Sequence, residues 1–232
     1  MTADGVPSRA ARAGVRAAAP LMVAAFPFGL VYGVAVTQSP INSWLGFAAS
    51  FVILAGAAQL SLLELMFDAP WTVAVGTALV INLRFVLYSA ALTPSFSEFP
   101  AQWRLTLPYL MTDQAASISI LEYERVDDPL WRRWFYLGGG LSFAAAWWMG
   151  SATGIAFGGT IPGSWQIQFA FPLMFIALLM PTLRSRPALL AALAGAAVTV
   201  ASKDLPNGLN ICLGAIAGVA AGSAVATGKE AA

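Results

Sequence analysis

Two charged residues stand where an apolar helix should carry none. Arg84 lies near the middle of one apolar run, and Asp113 near the middle of the next. An arginine at mid-helix costs about 2.5–3.5 kcal/mol of insertion free energy, and the ten Val, Leu, Ile and Phe residues between Val73 and Leu92 return about 3–6 kcal/mol on the same scale. The segment therefore still inserts, with Arg84 facing a partner inside the bundle. Antiparallel neighbours put Asp113 at its depth. The two form either a structural ion pair or a midplane site that binds or couples a charged solute. Asn82 and Tyr88 flank Arg84, and Thr112 precedes Asp113. These residues and Gln59, in Ala55-Gly-Ala-Ala-Gln59, form the candidate binding or coupling set. The small residues beside Gln59 leave room for a ligand, although a buried Gln also serves as an interhelical hydrogen-bonder. Glu64 and Asp68 are four apart and read as a solvated vestibule or, with Asp113, as a proton site.

Other chemistry is excluded by what the chain lacks. There is no histidine, so His-based triads, His-ligated haem and His proton relays are ruled out. The single cysteine, Cys212, leaves no intramolecular disulfide or cysteine cluster for a metal. No cofactor, no metal and no enzymatic activity are expected. The net charge of +1 gives no footprint for nucleic acid.

The elements that must position these residues are membrane helices. Of 232 residues, 59% are hydrophobic and 10% charged, and no soluble domain of this size hides so much apolar surface. Segments 18–37, 44–66, 72–93, 104–121, 134–159, 168–183, 187–202 and 208–227 are long enough to cross a bilayer core of about 30 Å or nearly so. The sixth and seventh are short, so seven spans is the alternative count. The expected fold is an all-α polytopic helix bundle, with 1–17 as a cytoplasmic tail, 18–227 as one transport domain and 228–232 as a C-terminal tail. Pro27 and Pro172 are expected to break spans one and six, opening backbone carbonyls to a site.

With the N-terminus in the cytoplasm, Arg9, Arg12, Arg16, Arg125, Arg132, Arg133, Arg184, Arg186 and Lys229 lie inside and only Arg104 and Lys203 outside, as the positive-inside rule requires. Both termini are then cytoplasmic. Six of the eight tryptophans fall at span ends, Trp147 and Trp148 being the exceptions. A faint repeat relates Gly29-Leu-Val-Tyr-Gly33 to Gly154-Ile-Ala-Phe-Gly158, and four spans per half would make the halves parallel. Gly150, Gly154 and Gly158 share one helix face, as do Gly214, Gly218 and Gly222. Such faces pack helices closely, or meet another subunit.

Taken together, Ala55-Gly-Ala-Ala-Gln59, Asn82-Leu-Arg-Phe-Val-Leu-Tyr88-Ser89 and Leu110-Met-Thr-Asp113-Gln resemble the AzlC family of bacterial branched-chain amino acid permeases. The Gly-rich first span, Phe171–Pro181 and Leu205-Pro206-Asn-Gly208 extend the resemblance over roughly residues 18–225. The resemblance implies a secondary transporter in the bacterial inner membrane that exports branched-chain or related apolar amino acids, driven by the proton motive force. It also implies a small four-span AzlD-like membrane subunit as partner, with the Gly218 face among the candidate contacts. Family members often carry His where this chain has Phe85, and Glu where it has Gln114. Both changes remove a titratable group and leave Asp113 and Glu64 as the carboxylates able to carry a proton. A channel, or a structural subunit of a larger complex, is the alternative reading.

Overall fold

The computed structural model describes residues 5–160, 183, 185–205 and 209–230. The chain divides into two compact units, one formed by residues 1–63 and 78–167 and the other by 64–77 and 168–232. Among the described residues all regular structure is helical. The sixth expected span, with Pro172, and the Phe171–Pro181 segment lie outside the described residues.

The first unit is built on two long helices, α1 (Val6–Gln38) and α8 (Pro129–Gly158). Their contacts advance together along both chains: Gly14 meets Phe135 and Gly139, Gly29 meets Trp147 and Gly150, and Gly158 meets Val34 and Thr37. The helices therefore run parallel. They touch backbone to backbone. A Cβ added at Gly33 would fall 2.8 Å from the Cα of Gly154, and one at Gly154 would strike the Leu30 carbonyl. The face marked by Gly150, Gly154 and Gly158 is thus an internal packing face. In lipid no hydrophobic force drives helices together, so close van der Waals contact must do so, and only glycine permits it at this distance. Pro20 and Pro27 lie inside α1, which continues through both. The expected break at Pro27 is absent.

The breaks fall elsewhere, and they reverse the chain. Segment 44–66 divides into α2 (Ser43–Val52) and α3 (Gly56–Asp68), separated by Ile53–Ala55. In a continuous helix Gln59 would lie about 13 Å beyond Ser50. Instead its amide touches the Ser50 hydroxyl at 3.1 Å. The chain has folded back, and α2–α3 is a hairpin that enters from the end of the bundle where α1 finishes.

Segment 104–121 does the same from the other end. Its parts are α6 (Ala101–Thr106), a 3-10 turn (Leu107–Leu110) and α7 (Asp113–Tyr123). As one helix, Trp103 and Tyr123 would be about 30 Å apart. Yet Trp103 packs on Trp134 with ring centroids 5.0 Å apart, and the Tyr123 hydroxyl donates to the Arg132 carbonyl at 3.0 Å. Between these ends Leu110 faces Gly140 and Ile118 faces Gly139, further into the bundle. The segment enters, turns at Met111-Thr112 and returns.

After the first hairpin the chain forms α4 (Trp71–Asn82) and α5 (Arg84–Ser97), together a 27-residue apolar segment long enough to cross a membrane and interrupted at Leu83. The end of α5 reaches Arg132: Ser95 Oγ lies 3.4 Å from Nη1, and Glu98 Oε2 lies 3.7 Å from it. The base of the second hairpin is tied at the same place, because buried Arg132 also donates to the carbonyls of Val126 (2.6 Å) and Tyr123 (2.9 Å) and to Asp127 (2.8 Å).

Two expectations are corrected here. Segments 44–66 and 104–121 do not cross, because the turn residues at their centres reverse the chain. The following crossing, α4–α5, therefore runs opposite to the expected sense, and Arg104 lies at the same end as Arg125, Arg132 and Arg133.

In the second unit α9 (Arg186–Ala201) packs on α10 (Leu209–Glu230). A Cβ at Gly218 would lie 2.8 Å from the Ala191 carbonyl, and one at Gly222 would lie 3.0 Å from the Ala191 Cβ. The face of Gly214, Gly218 and Gly222 is covered by α9 and is not free for a partner.

Replacing Gly154 by Leu should force α1 off α8. The expected result is loss of the monodisperse peak in detergent gel filtration. Gly76→Ala, where nothing lies within 4 Å of the new Cβ, should leave that peak intact and gain up to about 1 kcal/mol of helix propensity.

Candidate functional site

The hairpin tips sit near the middle of the first unit, and each solves the problem of a broken helix differently. A helix end inside a membrane exposes carbonyls or N–H groups that cost several kcal/mol each if unsatisfied. At the first tip the carbonyls of α2 are taken up by side chains. The Trp148 indole donates to the Ser50 carbonyl at 3.0 Å and the Tyr109 hydroxyl to the Phe51 carbonyl at 2.6 Å. Gln59 closes the rest. With its amide oriented to match donors to acceptors, Nε2 donates to the Ile53 carbonyl at 3.2 Å. Its Oε1 then accepts from the Ser50 N–H at 3.0 Å and faces the Tyr32 hydroxyl at 2.8 Å, a hydroxyl that also lies 2.8 Å from the Gly46 carbonyl. Gln59 is only 2% exposed and its hydrogen-bonding capacity is committed to the turn.

The second tip carries charge. Thr112 caps α7, its hydroxyl accepting from the Ala115 N–H at 3.1 Å. Asp113 follows in the first turn, where the positive end of the helix dipole favours a carboxylate. Arg84 opens α5 just past the interruption at Leu83 and places Nη1 2.9 Å from Asp113 Oδ2. The pair expected from the shared depth of the two segments is thus formed, between a hairpin tip and a kinked helix. Tyr88, one turn along α5, interacts with the same carboxylate. Phe85 lies under the Arg84 guanidinium at 5.6 Å from its ring centre.

The pair is not saturated. Arg84 Nε and Asn82 Oδ1 are buried atoms with no hydrogen-bond partner among the described residues, and Asp113 Oδ1 accepts no bond of good geometry. The ion pair itself thus keeps one free donor and one free acceptor, and Asn82, two residues before Arg84, keeps another acceptor.

The structure therefore gathers Asn82, Arg84, Tyr88, Thr112 and Asp113 at the second tip and places Gln59 at the first. Glu64 is exposed further along α3, as is Asp68. Three residues that build the tips carry no sequence motif of their own, Ser50, Tyr109 and Trp148, and a fourth, Tyr32, lies in the Gly29–Gly33 arm of the faint repeat. For Trp148 the signal was its position, deep in a helix where tryptophan usually marks an interface.

A second signal lies in the sequence itself. Ala57-Ala-Gln-Leu-Ser-Leu-Leu-Glu-Leu65 of the first hairpin matches Ala115-Ala-Ser-Ile-Ser-Ile-Leu-Glu-Tyr123 of the second. Upstream, Tyr32-Gly-Val-Ala-Val-Thr37 of α1 matches Tyr88-Ser-Ala-Ala-Leu-Thr93 of α5. Tyr32 serves the first tip as Tyr88 serves the second. The repeated unit is one helix and the hairpin after it, and the two copies enter from opposite ends. The shorter Gly29–Gly33 and Gly154–Gly158 likeness instead relates α1 to its parallel neighbour α8.

Long apolar helices, an ion pair at mid-depth and interrupted elements in inverted repeat define a membrane protein of the transport class. The profile of the AzlC protein family matches residues 20–161, and this chain belongs to that family, which is linked to membrane transport. It is also similar to an uncharacterized membrane protein of Archaeoglobus fulgidus, 28% identical over 200 residues that cover 82% of this chain and 83% of the relative. No solved structure matches it.

Removing one partner of a buried pair costs about 3–5 kcal/mol when fully buried. The cost is smaller here, with 33% of the Arg84 and 30% of the Asp113 side chain exposed. Arg84→Leu and Asp113→Leu should each lower the thermal midpoint of the detergent-solubilised protein. The double change should recover at least half of the larger loss. A double variant no more stable than the singles would show that the two charges do not depend on each other.

Proposed function

We propose that the chain is the substrate-bearing subunit of a secondary carrier that exports a small amino acid with an apolar side chain, of the leucine, isoleucine, valine or methionine kind. The observation that carries this reading is the unsaturated Arg84–Asp113 pair at the tip of a hairpin. Arg84 Nε would take the substrate carboxylate. Asp113 Oδ1 and Asn82 Oδ1 would take the ammonium, with Tyr88 and Thr112 closing the site. Phe85, in place of a titratable residue, gives the pocket an apolar wall. Coupling to the proton motive force would fall to Asp113: a proton there cancels its charge and releases Arg84. Glu64, exposed on α3, is the second carboxylate open to that role.

The orientation follows from charge. Within residues 5–160 Arg9, Arg12, Arg16, Arg104, Arg125, Arg132 and Arg133 gather at the end where α1 begins, and the opposite end has no lysine or arginine. The arginine-bearing end is the cytoplasmic one in a bacterial inner membrane. Turning two crossings into hairpins leaves their parity unchanged, so both termini still lie in the cytoplasm. A small four-span membrane subunit completes the carrier in this reading.

Reconstitution in liposomes tests it, with the chain alone and with a four-span partner. Saturable, stereoselective flux of at least one of the four amino acids is expected, reduced at least tenfold in Asp113→Asn. Non-saturating ion conductance would replace the carrier with a channel. No flux of any of the four, with protein shown to be in the bilayer, would overturn the substrate.

A further inference from the structure

The bonds of Arg132 tie the base of α7 to α8, and just inside them two hydroxyls stand unbonded. Tyr123 ends α7 and donates to the Arg132 carbonyl at 3.0 Å. One turn inward on α7 is Ser119, and one turn inward on α8 is Tyr136. Both residues are 0% exposed, and neither Ser119 Oγ nor Tyr136 Oη has a hydrogen-bond partner among the described residues. Both interact with Tyr123. Ser119 lies beside its hydroxyl without a hydrogen bond of good geometry, and Tyr136 lies within electrostatic reach of it.

Hydroxyls so placed call for a ligand. A buried hydroxyl left unbonded forfeits the water it gave up on folding, and folded interiors pair nearly all such groups. The two helices cannot simply close on each other, because their spacing is set further along the seam. Ile118 fills the seat at Gly139, and Leu110 fills the seat at Gly140. Donors and acceptors also match. Tyr123 spends its proton on the Arg132 carbonyl and can only accept, whereas Ser119 and Tyr136 each hold a proton to give. One water molecule accepts from both and donates to the third, which is the usual complement of a buried water. Phe96 of α5 covers the place from the side. Its ring lies edge-to-face on Tyr136 at 5.0 Å and 5.1 Å from that of Phe99, and both phenylalanines are buried.

We infer that Ser119, Tyr123 and Tyr136 form a buried water-binding site between α7 and α8. The second hairpin is thereby joined to the long helix through a ligand as well as through side-chain packing. The first hairpin lacks the accepting group: Ser61 matches Ser119, but Leu65 stands where the second copy has Tyr123. The inference does not depend on the carrier reading.

Hydroxyl-radical footprinting of the unaltered chain with pulsed X-rays tests it, because a bound water generates its radical in place and marks side chains that bulk solvent cannot reach. Tyr136 should be oxidised at least tenfold faster than Tyr32, a phenol only 2% exposed whose hydroxyl is taken up by protein groups. Thermal midpoints give a second readout. Ser119→Ala and Tyr136→Phe should each lower the midpoint by about 2–4 °C, the shift for one lost hydrogen bond in a chain of this size. The double variant should lose less than the sum, since both hydroxyls hold the same water. Tyr136 oxidised no faster than Tyr32 would overturn the site. So would a midpoint raised by either substitution, the result expected when an unbonded hydroxyl is removed. Coupled losses without fast oxidation would assign a direct Ser119–Tyr136 bond and overturn the site equally. A chain that moves no amino acid but oxidises rapidly at Tyr136 would leave the site standing, whereas slow oxidation in a chain with full flux would sink the site and not the carrier.

Discussion

Everything in the first unit hangs on the contact between α1 and α8. Two helices of 33 and 30 residues lie parallel with their backbones in touch, which is possible only because each presents glycines where the other presents carbonyls. Glycine in a helix interior costs about 1 kcal/mol against alanine. That cost is offset by dispersion contacts that neither lipid nor larger side chains could supply at this separation. The resulting pair is a rigid slab. Its aromatic residues Tyr32, Trp147 and Trp148 stand out from it to receive a hairpin, and its glycines Gly139 and Gly140 leave shallow seats for the other.

The hairpins show two answers to one electrostatic problem. A helix that stops at mid-depth must have its loose polar ends met by protein. The first tip meets them with neutral groups, an indole, two phenols and an amide, and becomes inert. The second meets its need with a threonine cap and an ion pair, and keeps unpaired atoms. The same backbone unit thus yields a closed joint in one copy and a chemically active one in the other, the difference residing in a few side chains: Gln59 against Ser117, and Asp113 where the first copy has Ala55.

Much of this was legible in the sequence, and the failures have definite causes. Apolar composition fixes membrane insertion, and the cost of Arg84 in lipid demands the partner that Asp113 supplies. Hydropathy misled at 44–66 and 104–121. A hairpin of two half-depth helices has the same length and apolarity as one crossing helix, and window averages cannot tell them apart. Two discordant notes were present. Arg104 violated the charge rule that every other arginine of the region obeyed, and Trp148 sat far from any interface. The inverted repeat at Ala57 and Ala115 is readable, at a shorter spacing than the glycine likeness of Gly29 and Gly154. Gln59 illustrates the limit of residue chemistry: type and small neighbours suggest a ligand site equally with a turn, and only the position of Ser50 and Tyr32 decides.

The order of the chain gives the α1–α8 contact a consequence for biosynthesis. α1 leaves the ribosome first, with its glycine face bare, and α8 follows only after both hairpins and the crossing between them have been made. Neither hairpin is long enough in either limb to span a bilayer as an independent helix. Their seats on α8 do not exist until the last of these elements arrives. The charged tip must therefore wait, near the membrane surface or in the insertion machinery, for residues some way downstream. Mature topology in this unit is a late event, sealed from its C-terminal side. A ribosome stalled before α8 would leave behind an ordinary pair of apolar spans with two uncommitted loops.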